Sequence, residues 1–417
     1  MEIKNDPIEL PDITKKSKPD LDSLPKYYNK YFLPLDLNTN IFRKDLINYY
    51  YDQIEPQNNN LQIIKYNSRL FTEDNLQQIL QTSDLVLPTD DQIKDSFYTY
   101  EYKGSEHIYV DFANKNLGGA FLTYGFAQEE IIFYEFIELF LTVQGILNIT
   151  QLEMKPNEVI IIKNAKRFFE CNIYGKKAFE DTKETFSNNP TKGKFNPITD
   201  NQPIVNFLAI DGINKKYSKN DYLTDLLFMF NKVYIGFKAA VKHGYTTIHT
   251  GEWGTGAFSN NALIMYYLQI LAVNVVNSDN AATNATNAAT NATNAANAAT
   301  NAATKKINLI YYLHDEKIHK KYNRWYIEIA NTLFLQNVEV NLTIYEHLQF
   351  LNLLDKKLDK QIVLNSMILK WNNIQKDFKN LQLKINDGKK IAASSFYSVE
   401  PNISNLSNTE VSIERFT

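Results

Sequence analysis

Short apolar runs that alternate with helical stretches constrain this chain more than any other feature. Ile108-Tyr-Val-Asp-Phe112, Val159-Ile-Ile-Ile162, Val205-Asn-Phe-Leu-Ala-Ile210, Thr246-Thr-Ile-His249 and Ile307-Asn-Leu-Ile-Tyr-Tyr312 each have the length and residue types of a buried strand. Helical patterns over 221–242 and 261–276 separate some of them. Strands interleaved with helices predict an α/β layered domain. Upstream, residues 26–96 show apolar spacings of three and four, as in Asp45-Leu-Ile-Asn-Tyr-Tyr-Tyr51 and Asn75-Leu-Gln-Gln-Ile-Leu80, and predict a helical accessory region. Residues 1–25 are polar and punctuated by Pro7, Pro11, Pro19 and Pro25, which predicts a disordered tail. Residues 281–304 repeat Asn, Ala and Thr, hold nothing large and apolar, and predict a mobile insertion outside the core. From Ile344 to about Leu383 the pattern is helical, and the end from about 392 reads as loose, so 351–417 is expected to be a C-terminal helix with a tail.

Composition enters where it excludes function classes. A net charge of −3, with Lys scattered and Arg scarce, argues against a protein that tracks a nucleic-acid backbone, and no direct DNA binding is expected. Any phosphate would be gripped at one local site. Cys171 is the only cysteine, so no intrachain disulfide can form. The N-terminus lacks a secretory h-region, and Glu135 and Glu138 interrupt the apolar run 131–141, so an intracellular, soluble protein off the membrane is expected, with nucleus or cytoplasm open. His314 and His319 are spaced off the i, i+4 pattern of a zinc helix, and no metal site is expected.

Two segments carry chemistry. In the first, a strand ends at Asp111, and the chain passes Asn114, Gly118, Gly119 and Ala120 before a helix begins near Ala127 with Gln128, Glu129 and Glu130 in its first turn. Glycines let backbone amides approach a ligand, free N–H groups at a helix start suit a diphosphate, and adjacent carboxylates suit acid/base work. Glutamates in a first turn are also what the helix macrodipole favours, so capping is an alternative reading of the pair. In the second segment, a strand gives way to Gly251, Glu252, Trp253, Gly254, Thr255, Gly256, Ala257 and Phe258, again before a helix. Two such loops at strand ends can face one crevice, where open α/β sheets bind ligands.

Asp111-Phe-Ala-Asn114, Gly118-Gly119 and Gln128-Glu-Glu130 resemble the signature of poly(ADP-ribose) glycohydrolases, a glycine triplet followed after a short spacer by Gln-Glu-Glu. Gly251-Glu-Trp-Gly-Thr-Gly-Ala-Phe258 is similar to that family's second loop, and the strand 159–162 with Tyr174 to its strand and adenine-side tyrosine. The likeness runs from about 97 to about 348.

The resemblance implies a macrodomain-like mixed sheet flanked by helices over 97–350, and hydrolysis of the bond between adjacent ADP-ribose units without a cofactor. It assigns Glu130 as catalytic acid/base, Glu129 as the neighbour that holds the ribose, and Asp111 and Asn114 to the ribose pocket. Gly118 and Gly119 become the diphosphate loop, Glu101 an adenine contact and Tyr174 its stacking partner. The implied partners are poly(ADP-ribose) and poly(ADP-ribosyl)ated proteins; oligomeric state, endo or exo cleavage, and polymer against mono-ADP-ribose selectivity stay open. Two positions depart from the pattern: Ala120 replaces the third glycine, and Glu252 an asparagine. They motivate a second reading, a non-catalytic ADP-ribose reader.

Overall fold

The structure, a computed structural model, describes residues 3–8, 45–54, 60–82, 85–96, 98–121, 126–145, 152–171, 174–175, 195–292, 306–313 and 325–358. In chain order its strands are β1 (Ile3–Pro7), β2 (Gln62–Ser68), β3 (Ile93–Lys94), β4 (His107–Asp111), β5 (Glu158–Lys166), β6 (Phe169–Cys171), β7 (Phe195–Pro197), β8 (Ile204–Ala209), β9 (Thr247–Gly251) and β10 (Asn308–Tyr312). The helices are α1 (Gln128–Glu135), α2 (Ile137–Gly145), α3 (Tyr222–Lys242), α4 (Ala262–Ala292), α5 (Trp325–Glu339) and α6 (Ile344–Leu358).

Eight strands form one mixed sheet in the order β1-β2-β5-β8-β4-β9-β10-β3, and β6 and β7 form a small antiparallel pair. Pairing is antiparallel from β1 to β8 and parallel from β8 through β4, β9 and β10 to β3. In the central strands both faces are buried, which is why they read as near-continuous apolar runs. Alternate side chains go to opposite layers. Tyr109, Ile160, Ile162, Phe207 and Ala209 share a core with Phe133 of α1, Phe140 of α2 and Phe136 between them. On the other face α3 lies so close that a Cβ at Gly236 would stand 3.0 Å from Ile210 Cδ1 and 3.3 Å from Leu208 Cδ2. Buried Lys232 of α3 pairs with Asp211 at 2.5 Å and donates to the Glu158 carbonyl at 2.7 Å, joining the helix to β5 and to the segment that leaves β8.

The five apolar runs are all strands, and the mixed α/β sheet flanked by helices is as expected. The N-terminal third differs. Residues 3–7, placed in a disordered tail, form the antiparallel edge strand of the main sheet, and β2 and β3, placed in a helical region, also belong to it. An edge strand needs little apolar content, because one of its sides meets no neighbour. The helix expected over 75–80 is a single 3-10 turn, Glu73–Leu76, whereas residues 45–49 are helical and continue into a π turn, Tyr50–Ile54, tied to α2 by Tyr50 Oη donating to Glu138 Oε1 at 2.5 Å.

The Asn/Ala/Thr repeat also departs from expectation: residues 281–292 continue α4. Alanine has the highest helix propensity, and extending a formed helix avoids the cost of nucleation. Asn277, within α4, accepts from Ile307 N–H at 2.9 Å and donates to Ile307 O at 3.3 Å, holding the start of β10 against the helix. Residues 293–304, the His314–His319 motif and the expected tail from 359 lie outside the described residues. Among the described residues no helix is long and apolar enough to cross a membrane.

Candidate active site

Parallel strands β4, β9 and β10 end together, at Asp111, Gly251 and Tyr312, so the chains leaving them emerge at one edge of the sheet. The two predicted loops are two of these exits. A cavity of about 630 Å³ lies between them, lined by Phe112 from the first, Gly251 through Phe258 from the second, Ala127, Gln128, Ile131 and Glu135 of α1, and Tyr174. Positions 128, 131 and 135 form one stripe of α1, as helical spacing dictates.

Glu129 and Glu130 leave the helix on another side and are wound into the loop that follows β4. Glu129 accepts from Asn114 N–H at 2.9 Å and Gly118 N–H at 2.7 Å. Glu130 accepts from Ala120 N–H and from Ala127 N–H, each at 2.9 Å, the second bond capping its own helix. Gln128 accepts from Phe112 N–H at 2.8 Å and donates to Val110 O at 3.1 Å and to Tyr100 Oη at 3.2 Å. All three side chains therefore fasten the loop to the helix. Of the amides expected at a diphosphate, that of Gly118 is held here by Glu129 and that of Gly119 bonds Asn116 O at 3.0 Å, while the neighbouring amide of Ala120 is held by Glu130.

Gly119 explains why the loop needs glycine. Its φ is +52°, and a Cβ there would fall 2.7 Å from Glu130 Oε1 and closer still to Glu129. Ala120 is not among the residues with positive φ, so its methyl group brings no backbone strain.

Asp111 is fully buried beside this cluster, and neither carboxylate oxygen has a hydrogen-bond partner among the described residues. Burial pushes its carboxyl well above the usual range, and the charge of Glu130 pushes the same way. Glu129 is also raised, first by burial and then by Asp111 and Glu130, against its two N–H bonds. The linkage sign follows. Above about pH 4 an unfolded Asp loses its proton while folded Asp111 keeps it, so folding stability from this residue falls as pH rises. Asp111→Asn is expected to stabilise the fold at neutral pH, by about 1.4 kcal/mol per pH unit over which only folded Asp111 stays protonated. Urea unfolding at several pH values checks it; a gain that does not grow with pH would count against the account.

In the second loop, Trp253 is buried and donates through Nε1 to Ile210 O at 2.9 Å, while Gly254 takes φ +73°. Glu252 lines the cavity and accepts from Tyr326 Oη at 3.2 Å. Tyr174 stands between the two halves of the site: burial raises its hydroxyl to about 12, with Glu130 and then Glu252 adding to the shift.

The structure thus gathers Gln128, Tyr174 and residues 252–258 around the cavity, and sets Asp111, Asn114, Gly118, Gly119, Ala120, Glu129 and Glu130 in the loop and helix start beside it. Glu101 is in neither group; it pairs with Lys103. Sequence reasoning missed Arg167, which donates from Nε and Nη2 to Glu135 at 3.0 and 2.9 Å and from Nη1 to Thr99 O at 2.7 Å, on the cavity wall. A carboxylate inside the apolar run 131–141 was its one visible signal.

Among the described residues no group of His, Cys, Asp and Glu could hold a metal ion. Comparison with known proteins gives one family model, described as poly (ADP-ribose) glycohydrolase (PARG), macro domain fold, which matches residues 87–289. Poly(ADP-ribose) glycohydrolase 1 of Caenorhabditis elegans is 32% identical over 179 residues, covering 40% of this chain and 22% of that protein. This chain therefore spans under a quarter of that relative's length. Solved structures that resemble it include poly(ADP-ribose) glycohydrolase from Thermomonospora curvata bound to the inhibitor ADP-HPD (17% identity, TM-score 0.28, 40% of this chain and 57% of that one). The enzyme from Deinococcus radiodurans in complex with ADP-ribose is another (16% identity, TM-score 0.29, 48% and 78%). Over residues 87–289 the chain is thus a match to the catalytic domain of the poly(ADP-ribose) glycohydrolase family, of macrodomain fold.

Proposed function

We propose that this chain hydrolyses the ribose–ribose O-glycosidic bonds of poly(ADP-ribose) and releases ADP-ribose. The observation that carries the proposal is the start of α1, where Gln128, Glu129 and Glu130 are each bonded to the loop after β4, at the edge of a cavity closed on its other side by residues 252–258. A glycosidase needs a carboxyl group that gives a proton and takes one back. In this reading Glu130 protonates the leaving ribose oxygen as the glycosidic bond breaks. The sugar passes through an oxocarbenium-like state, water attacks the anomeric carbon, and the water's proton returns to Glu130. Glu129 and Asn114 position the ribose, and burial pushes the Asp111 carboxyl well above its usual range, which opposes a further negative charge beside Glu130.

Tyr174 and Gln128, on the cavity wall, contact the nucleotide, and the loop 252–258 receives the diphosphate. For the amides of Gly118 and Ala120 to join that loop at the diphosphate, Glu129 and Glu130 must release them and take ribose hydroxyls as donors instead. Poly(ADP-ribosyl)ated proteins are the macromolecular substrates on this reading.

The test is release of ADP-ribose from purified polymer by the full chain, read by chromatography. Release supports the glycohydrolase. ADP-ribose binding without release would replace it with the reader, and then Glu252, the acidic departure in the second loop, is the residue to revert.

A further inference from the structure

A chain of side chains joins the surface to the cavity wall. His107 on β4 and His249 on the adjacent β9 face the same layer, with His107 Nδ1 2.8 Å from His249 Nε2. His249 Nδ1 lies 3.1 Å from the hydroxyl of Tyr312, which lines the cavity. At the outer end, Glu106 Oε1 stands 3.6 Å from His107 Nε2. That is too long for a direct hydrogen bond, but its negative charge favours the proton on the nearer nitrogen.

The direction of every bond follows from that end. With the proton on Nε2, His107 Nδ1 must accept, so His249 Nε2 carries a hydrogen and donates. His249 Nδ1 is then an acceptor, and the Tyr312 hydroxyl must donate to it. His249 is 1% exposed and stacked on Tyr109, with ring centroids 4.2 Å apart. Burial, His107 and Lys103 push it down to about 3, so it stays neutral through the physiological range. The groups facing the pair are Glu106, Lys103, Tyr98, Tyr109 and Tyr312, and burial lowers His107 as well.

We propose that Tyr312 is a specificity-determining residue: His249 and His107 commit its proton inward, so its oxygen can only accept, and it selects a ligand that offers an N–H donor. Tyr98, Tyr100 and Phe112 flank this part of the wall, with Tyr98 4.8 Å from Tyr312 and 5.9 Å from Phe112 between ring centroids. Flat aromatic surroundings suit a stacked base, so the class is a nucleotide whose base carries an exocyclic amine, such as adenine. The choice of ligand rests on the function proposed above; the bond directions do not.

Two measurements test it. Imidazole 15N spectra of the full chain should show His107 and His249 as neutral Nε2–H tautomers; an Nδ1–H tautomer at His249 would reverse the chain and overturn the proposal. In titration calorimetry the parent should bind ADP-ribose about tenfold more tightly than its 6-deamino purine analogue, which has hydrogen in place of the exocyclic amine and no N1–H to donate. Tyr312→Phe, which keeps the ring, should bring that ratio close to one while the 6-deamino purine analogue binds as before. An unchanged ratio in Tyr312→Phe defeats this proposal alone. A parent that binds neither nucleotide defeats the functional reading and the ligand class with it.

Discussion

Glu130→Gln is expected to reduce release of ADP-ribose from polymer by about 10²- to 10⁴-fold, the usual contribution of a positioned acid/base, with ADP-ribose affinity largely kept. Glutamine has nearly the same shape but no proton to give and no basic oxygen to take one back. It can accept one of the two amide bonds that Glu130 now takes from Ala120 and Ala127, and loses the other, at a cost of about 1 kcal/mol. That predicts a small drop in melting temperature and a much larger drop in turnover. Parallel measurement of both separates chemistry from folding. A variant that turns over at the parent rate would remove Glu130 from the mechanism, and one that also fails to bind ADP-ribose would make its role structural.

Arg167→Met should destabilise the fold by about 3–5 kcal/mol, because it leaves one partner of a buried ion pair without the other. Glu135 is 2% exposed and also accepts from Cys171 N–H at 2.6 Å, so its charge has no route to water when the guanidinium is gone. Burial already raises the Glu135 carboxyl despite Arg167. Removing the arginine raises it further, so the folded variant keeps a proton that the unfolded chain loses above about pH 4, and the penalty should grow as pH rises. Replacing both residues with apolar ones of similar volume should recover much of the loss. Urea unfolding of the three chains at two pH values checks all of this; a single mutant within about 0.5 kcal/mol of the parent would mean that the pair does not hold this wall.

How much of this was legible depended on whether the relevant contacts were local. The five buried strands could be read because both their faces meet protein, so 108–112, 159–162 and 307–312 are almost wholly apolar. β1 could not, since Lys4 is exposed and the register that makes the segment a strand comes from residues 64–68, far along the chain. In the site, the glycines and carboxylates marked the two loops. Helical spacing also separates the Gln128 stripe from Glu129 and Glu130, but composition does not say which stripe borders a cavity. Arg167–Glu135 and His107–His249 are pairs 32 and 142 residues apart, the first created by packing a helix against the end of β5 and the second by strand order. The likeness to a known family supplied the roles expected of Glu130 and Tyr174, which no local pattern carries.

The Asn277–Ile307 clasp has a consequence for how this chain can vary. Because both backbone groups of Ile307 are secured to α4, whatever lies between the two residues is a closed excursion, and its length does not reach the register of β10 or the placement of Tyr312. Short tandem units are prone to gain and loss when copied, and here that wear falls on a span set apart from the strand that carries Tyr312. Alleles of this protein that differ in repeat number should therefore share one cavity, with selection on the repeat acting through something other than its shape.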